Sequence, residues 1–482
     1  VRGSRSLLHD LGLLAGAQVA AQGLNLLALV ILARRLGDHQ FGLVQVGVAV
    51  SAYAMIAAEW GVFSLGVRDV ARLRSPSAIL GYARAQQGLL AVLAAVVLAL
   101  GLALLPLFPF YRADPALFRL YLLLVVPQVF ALEWLATGLE RMPAAGAAKV
   151  TASAVYAALV VFALPALDGG TAWPGYRWVP LMYLVSFAAG SAAVAPALRR
   201  WLGGWVRPGR ALGTVWRQRL VEAAPLGGSL LLMRVLINSD LILLGILSVP
   251  AVAGLYAAAA KVGFLIVVAM EVLWKALLPR LSRLAAGPEG ERSPAYRARV
   301  QALFTLVLAV LVPAALLAAA RAPQLLDLLY GGRYAAAAPV FRILMGSYVL
   351  LALGWFLGGA LLAVDRQRDG LRPQALAAGV AVVAHVLLIP RWGAPGAAWA
   401  MLAGHATLLG AMGLVSRRWF DRRRRAAWLA VAAGAALMVG VLGGAASLAP
   451  GAGPWIPVLA AAVLYTACVA GPVRRLFRPG AS

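Results

Sequence analysis

Acidic residues are scarce in this chain. Only 17 of its 482 residues are Asp or Glu, against 43 Lys and Arg, and charged residues make up 12% of the total while 63% are hydrophobic. The single cysteine, Cys468, excludes an intrachain disulfide and a thiolate metal cluster and leaves the redox compartment open. The four histidines have no metal-ligand spacing, so neither a metal nor a cofactor is expected. Long polar connections are also missing; the segment after the first apolar stretch is only "RRLGDHQ". A polytopic glycosyltransferase or ligase would carry a sizeable outer loop with acidic catalytic residues, so the short connections argue against an enzyme. The formal charge of +26 could attract nucleic acid, but the arginines cluster between apolar segments and form no soluble basic face, so no such partner is expected.

What the chain has instead is apolar runs of membrane-crossing length. They fall near 11–33, 41–67, 82–106, 116–139, 146–167, 177–198, 220–247, 253–279, 297–321, 337–363, 372–390, 394–416, 427–449 and 455–471. The expected fold is an all-α polytopic membrane protein of about 14 transmembrane helices. The N-terminus has a basic region and an apolar stretch like a secretory signal, but the apolar run continues to Ala33, and it is expected to stay as the first helix. Lys and Arg minus Asp and Glu come to roughly +23 over the even-numbered connections and both termini, and to roughly +3 over the odd-numbered ones. Both termini are therefore expected in the cytoplasm. The heaviest contributors are Arg199, Arg200, Arg207, Arg210, Arg217 and Arg219, and "SRRWFDRRRR" (416–425), which read as orientation signals and as attractors of anionic lipid.

Some charges sit inside the apolar runs, where each is costly and usually faces a cavity or a partner. "GLYAAAAKVGFLIVVAMEVLWKALLPR" (254–280) carries Lys261, Glu271 and Lys275. Laid over "GLVQVGVAVSAYAMIAAEWGVFSLGVR" (42–68) it matches without gaps at an offset of 212, with Gly42 on Gly254, Glu59 on Glu271 and Arg68 on Arg280. A second echo pairs Tyr111, Phe118 and Arg119 with Tyr334, Phe341 and Arg342. Two pseudo-symmetric six-helix lobes are implied, at 1–205 and 206–420, with 421–482 holding two further helices and a tail. Such repeats place a site near mid-membrane. Gln18, Gln22 and Asn25 share one face of the first helix, and Arg234 and Asn238 share a face of the seventh with Asp240 nearer its end. Gluing helices together and lining a cavity both remain open for these stripes.

Seven stretches in order carry a family resemblance: "LARRLGDHQFGL", "EWGVFSLGVRDVARLR", "EWLATGLERM", "VAGLYAAAAKVGFL", "LLPRLSRL", "LLYGGRYAAAAPVFRIL" and "LLIPRWGAPGAAWA". Together they resemble the polysaccharide flippases of the multidrug/oligosaccharidyl-lipid/polysaccharide exporter superfamily, over most of 10–416. His385 departs from that pattern, and the last two helices lie outside it. The resemblance implies a non-enzymatic carrier moving undecaprenyl-diphosphate-linked oligosaccharide from the inner to the outer leaflet of a bacterial inner membrane. Its partners would be that glycan, membrane lipids, and the polysaccharide polymerase and glycosyltransferases.

For such cargo a cationic cavity is expected, with Arg234 as the first diphosphate contact and Lys261 and Arg342 in support. Gln22, Asn25 and Asn238 would line it, while Arg34, Arg35 and Arg119 would guide the headgroup out. Arg234 could instead pair with Asp240 or Glu271, or simply pack. Glu59, Glu271 and Asp240 are candidates for coupling, and the glutamates for a gate closing on Arg68 or Arg280; capping nearby arginines is the plainer reading of both. His385 and His405 are expected to pack helices. The alternatives are a peptidoglycan lipid II flippase or a multidrug antiporter, and then a polytopic glycosyltransferase or ligase.

Overall fold

A computed structural model of the chain describes residues 4–168, 173–209, 213–287, 289–420, 425–448 and 456–475. Among these residues the secondary structure is helical, without strands, and eleven helices are long and apolar enough to cross a membrane. The chain divides into two compact units, residues 1–257 and 258–482.

The first unit runs through α1 (Ser4–Glu59), α2 (Val62–Val70), α3 (Pro76–Leu104), α4 (Pro109–Ala113), α5 (Pro115–Leu122), α6 (Val125–Val129), α7 (Glu133–Gly138), α8 (Met142–Ala158), α9 (Leu164–Leu167), α10 (Val179–Leu202) and α11 (Gly213–Leu247). The division falls within α12 (Pro250–Gly263). Then come α13 (Leu265–Ala285), α14 (Pro294–Ala320), α15 (Ala322–Tyr330), α16 (Ala338–Ala363), α17 (Leu371–Val415), α18 (Arg425–Leu448) and α19 (Ile456–Arg475). In the first unit α8 packs on α1 and α10, and α11 on α1; in the second, α16 packs on α13, α14 and α17, and α18 on α19.

Two expected loops turn out to be kinks. Helical structure continues through "RRLGDHQ", and α1 changes direction only at Gly37 (φ 72°, ψ 174°); α17 does the same at Gly393 (φ 55°, ψ −126°). Both conformations are open to glycine and strained for a residue with a Cβ, so one residue does the work of a loop. Splitting these two helices and adding the shorter apolar stretch Ala427–Leu442 gives about 14 apolar segments, in the order of the sequence windows. One other window is interrupted. The expected helix 116–139 is three short pieces, α5 to α7, with Pro127 inside α6. The helix starts follow local chemistry: the Ser75 hydroxyl accepts from Ala78 N at 3.2 Å with Pro76 at the first helical position, and Asp114 accepts from Leu117 N at 3.1 Å ahead of Pro115.

The repeat has a physical counterpart inside the first unit. A Cβ built on Gly42 would run into the carbonyl oxygen of Pro250 and lie 2.8 Å from Gly254 N; one built on Gly254 would run into the carbonyl oxygen of Asp38 and lie 3.0 Å from Gly42 N. Asp38 and Pro250 are themselves 212 residues apart, as are Gly42 and Gly254. The contact is thus reciprocal, each segment meeting its own counterpart as a local two-fold requires. The second echo holds as well: Phe118 and Phe341 are both core residues, while Arg119 and Arg342 are both exposed.

Candidate functional site

In the first unit a cavity of about 320 Å³ opens where α1, α6, α7, α8 and α10 diverge. Asn25, Gln128, Glu133, Lys149, Ser153, Ser186 and Ser191 supply polar groups to its lining. Stacked rings of Tyr156 and Tyr183, with centroids 4.1 Å apart and planes at 20°, form part of its wall. The α8 and α10 backbones can come close here because Gly190 presents no side chain: a Cβ on it would stand 2.8 Å from the carbonyl oxygen of Ala148.

Lys149 is the chemically distinctive member. It is half-buried in the membrane-spanning stretch Met142–Leu167, and among the described residues it has neither a hydrogen bond nor an ion pair. A lone ammonium at that depth is expensive unless it meets water or an anion, and the cavity is what it meets. The Gln128 amide nitrogen donates to the Met55 carbonyl at 3.4 Å, leaving its own carbonyl oxygen buried without a partner. A smaller cavity of about 160 Å³ shares Leu132 and Ser191 with the first, and the buried Gln87 faces it with an unpartnered side-chain oxygen. Unsatisfied amides of this kind mark places where a polar ligand or water belongs.

A second charged layer lies between α1 and α11. The Tyr53 hydroxyl donates to the carbonyl oxygen of Arg234 at 3.3 Å, and Arg234 interacts electrostatically with Tyr53 and Glu59. The Arg234 Nε is buried and has no hydrogen-bond partner, and among the described residues the side chain forms no ion pair. Asp240 lies deeper and accepts the Tyr256 hydroxyl at 2.6 Å and the Leu241 N–H at 2.7 Å. The pairing of Arg234 with Asp240 that the sequence left open is therefore not formed.

The other expected site residues are dispersed. Asn25 lines the cavity, Gln22 and Asn238 are half-buried, and Gln18 is buried. Arg68 is exposed and binds Asp69 at 2.8 Å and Glu222 at 3.8 Å; Glu59 is not its partner. In the second unit Lys261 is half-buried, and the exposed Arg342 donates to the Ala319 carbonyl at 3.2 Å, where α14 ends. Arg280, Arg34, Arg35 and Arg119 are exposed, and Arg119 donates to the Tyr111 hydroxyl at 2.8 Å. The side chains of Glu271 and Lys275 lie outside the described residues. The two buried histidines join backbone and helices: His385 Nδ1 meets the Ala381 carbonyl at 2.6 Å and His405 Nδ1 meets the Ser347 hydroxyl at 2.7 Å, linking α17 to α16. Lys149 was legible in the sequence as a lone cation in the apolar window 146–167 and went unremarked there.

The family model described as "Polysaccharide biosynthesis protein" matches residues 7–285. No curated protein matches the sequence. Among solved structures, the lipid II flippase MurJ in an inward closed conformation is similar with a TM-score of 0.76 at 10% identity, over 97% of this chain and 100% of that one. An inward-facing multidrug resistance MATE family transporter of the MOP superfamily gives 0.62 at 14% identity, over 84% and 97%. A variant of the Vibrio cholerae MATE transporter VcmN gives 0.51 at 15%, over 86% and 96%. At these identities the likeness is one of fold, and it is the fold of MOP superfamily flippases and exporters.

Proposed function

The chain belongs to the polysaccharide biosynthesis protein family, and from that premise we propose that it is a flippase for a polyprenyl-diphosphate-linked oligosaccharide. It carries the cargo from the cytoplasmic to the outer leaflet of a bacterial inner membrane by alternating access, without catalysing a reaction. The observation that supports this most directly is the cavity in the first unit, an apolar-walled space with a few polar side chains and Lys149 unpaired in its wall. Arg234, with its buried and unpartnered Nε, supplies a second half-buried cation suited to phosphate. A sugar diphosphate cannot shed its hydration into hydrocarbon, so its passage needs groups that replace water, while the polyprenyl tail stays in lipid.

Under this reading Arg234 is the first phosphate contact, with Lys261, Arg342, Asn25, Gln22 and Asn238 assisting, and Glu59, Glu271, Asp240, Arg68 and Arg280 serve coupling or gating. The functional division keeps 1–205 and 206–420 as lobes, with both chain ends cytoplasmic. Partners are the lipid-linked glycan, polysaccharide polymerase and glycosyltransferases. A second reading, export of lipid II, has one favouring observation: the likeness to the lipid II flippase fold covers 97% of the chain and so reaches the last two helices.

Reconstitution distinguishes them. Vesicles holding the protein and a labelled polyprenyl-diphosphate glycan are exposed to an impermeant glycan-modifying enzyme, with lipid II in a parallel preparation. Protein-dependent access to the glycan but not to lipid II is expected. Access to neither cargo refutes both readings.

A further inference from the structure

One carboxylate ties together three connections of the second unit. Glu291, in the turn Gly290–Arg292 between α13 and α14, accepts two hydrogen bonds from Arg366 Nη1, at 2.6 and 2.9 Å, and one from the Trp419 indole N–H at 3.3 Å. Arg366 precedes the turn Gln367–Gly370 that leads into α17, and Trp419 closes the turn Arg417–Trp419 that follows it. Arg366 also binds Asp369 at 2.6 Å. The far side is equally well anchored. Trp419 is buried and stands edge-on to Tyr296 at 5.7 Å, and Phe420 packs among Phe304 and Trp428 at 5.3 and 5.4 Å.

Between these two pinned turns lies a cavity of about 810 Å³ lined by Arg366, Arg368, Arg372, Arg417 and Arg418, with Asp369 its sole acidic residue. Asp369 is already engaged by Arg366. Among the described residues, the side chains of Arg368, Arg372, Arg417 and Arg418 have neither a hydrogen bond nor an ion pair. Arginines in a charged loop ordinarily spread apart into solvent. Here their backbones are held by a shared carboxylate and a buried aromatic cluster, so four exposed arginines without side-chain partners border one space. That arrangement is self-repulsive until an anion enters it. The ligand's other half is written on the same elements: Pro373, Leu414 and Val415 complete the lining, and Leu414 and Leu376 are 70% and 57% exposed. An apolar flank beside a cationic pocket fits an amphiphile.

We propose that this cavity is a binding site for the phosphate headgroup of an anionic membrane lipid, with its acyl chains lying along Leu376 and Leu414. Guanidinium forks grip phosphate oxygens in pairs, and a pocket of this size has room for a headgroup bearing more than one phosphate. The site lies at connections that the charge count assigns to the cytoplasm, and none of its lining residues is among those assigned to the cargo.

The test uses the purified full-length chain in detergent, incubated with cardiolipin, phosphatidylglycerol or phosphatidylcholine, with bound lipid counted by native mass spectrometry. One cardiolipin should be retained per chain in preference to phosphatidylcholine. The double variant Arg372→Gln with Arg418→Gln should lower that preference about tenfold or more, as expected for loss of charge-assisted hydrogen bonds. The control pair Arg112→Gln with Arg333→Gln, exposed arginines elsewhere, removes the same charge and should leave retention unchanged. Equal retention in the cradle variant overturns the proposal, and so does an equal loss in the control, which would mean a diffuse field. If millimolar inorganic pyrophosphate displaces the lipid as effectively as free cardiolipin does, the site takes soluble phosphates and the assignment to lipid fails.

Discussion

Adding one methyl group at Gly42 or at Gly254 tests whether the repeat is physically real. The substituent on Gly42 would overlap the Pro250 carbonyl oxygen and sit 2.7 Å from its carbon; on Gly254 it would overlap the Asp38 carbonyl oxygen and sit 2.9 Å from its carbon. Every one of these atoms is backbone, so no rotamer change relieves the clash and the two segments must separate. Overpacking of this kind costs about 1 to 3 kcal/mol, whereas Gly→Ala in a helix by itself gains about 0.5 to 1 kcal/mol. Because only rigid backbone is overlapped, the clash stands at about 2 kcal/mol or more and wins, leaving each single variant destabilised by roughly 1 to 2 kcal/mol. For a unit of this size, that lowers the melting temperature by about 2 to 8 °C.

The decisive readout is the double variant. Separation that makes room for one methyl also makes room for the other, so Gly42→Ala with Gly254→Ala should cost less than the sum, with a coupling of about 0.5 kcal/mol or more. Thermal unfolding of the detergent-purified protein, followed by tryptophan fluorescence, measures all three. Gly81→Ala is the control: nothing lies within 4 Å of its added Cβ, and its melting temperature should hold or rise. Strict additivity, or single variants that behave like Gly81→Ala, would refute the reciprocal contact.

Lys149→Met should insert normally but lose most glycan export, and Lys149→Arg should recover much of it, measured as surface glycan against protein level; full export by Lys149→Met removes it from the carrier path. Arg234→Ala should likewise leave insertion intact and halt export. Asp114 accepts from Arg177 and Tyr176, each at 2.8 Å; burial pushes its pKa up, but Arg177, Tyr176 and the Leu117 N–H outweigh this and hold the carboxyl below its ordinary 3.8. A lowered folded-state value stabilises above the unfolded pKa and is lost as pH falls through the folded one, so Asp114→Asn should lower stability at neutral pH and flatten its decline below about pH 4. With the exposed Cys468 replaced by Ser, a cysteine at Ala452 should react with an impermeant thiol reagent from outside and one at Gly204 should not; the reverse labelling inverts the topology.

Sequence alone determined the membrane class, the approximate number and order of apolar helices, the internal repeat and the family. Hydropathy and motif order are properties of the chain read along one dimension, and a 20-residue apolar run needs no neighbour to be recognised. Tertiary structure decided which polar groups meet. Gln18, Gln22 and Asn25 follow a helical spacing, yet Gln18 is buried and Asn25 alone of the three lines the cavity, because helix rotation and neighbours set the outcome. The sequence leaves Asp240 open as a coupling residue or as one of two carboxylates that could pair with Arg234, and in the fold a tyrosine from the next helix donates to it. Glu291 and Arg366 stand 75 residues apart in loops that no periodicity relates, and their ion pair exists because two turns end side by side. Even the expected loop at "RRLGDHQ" became one bent glycine, since a positive φ at Gly37 kinks the chain while helix continues on both sides of it.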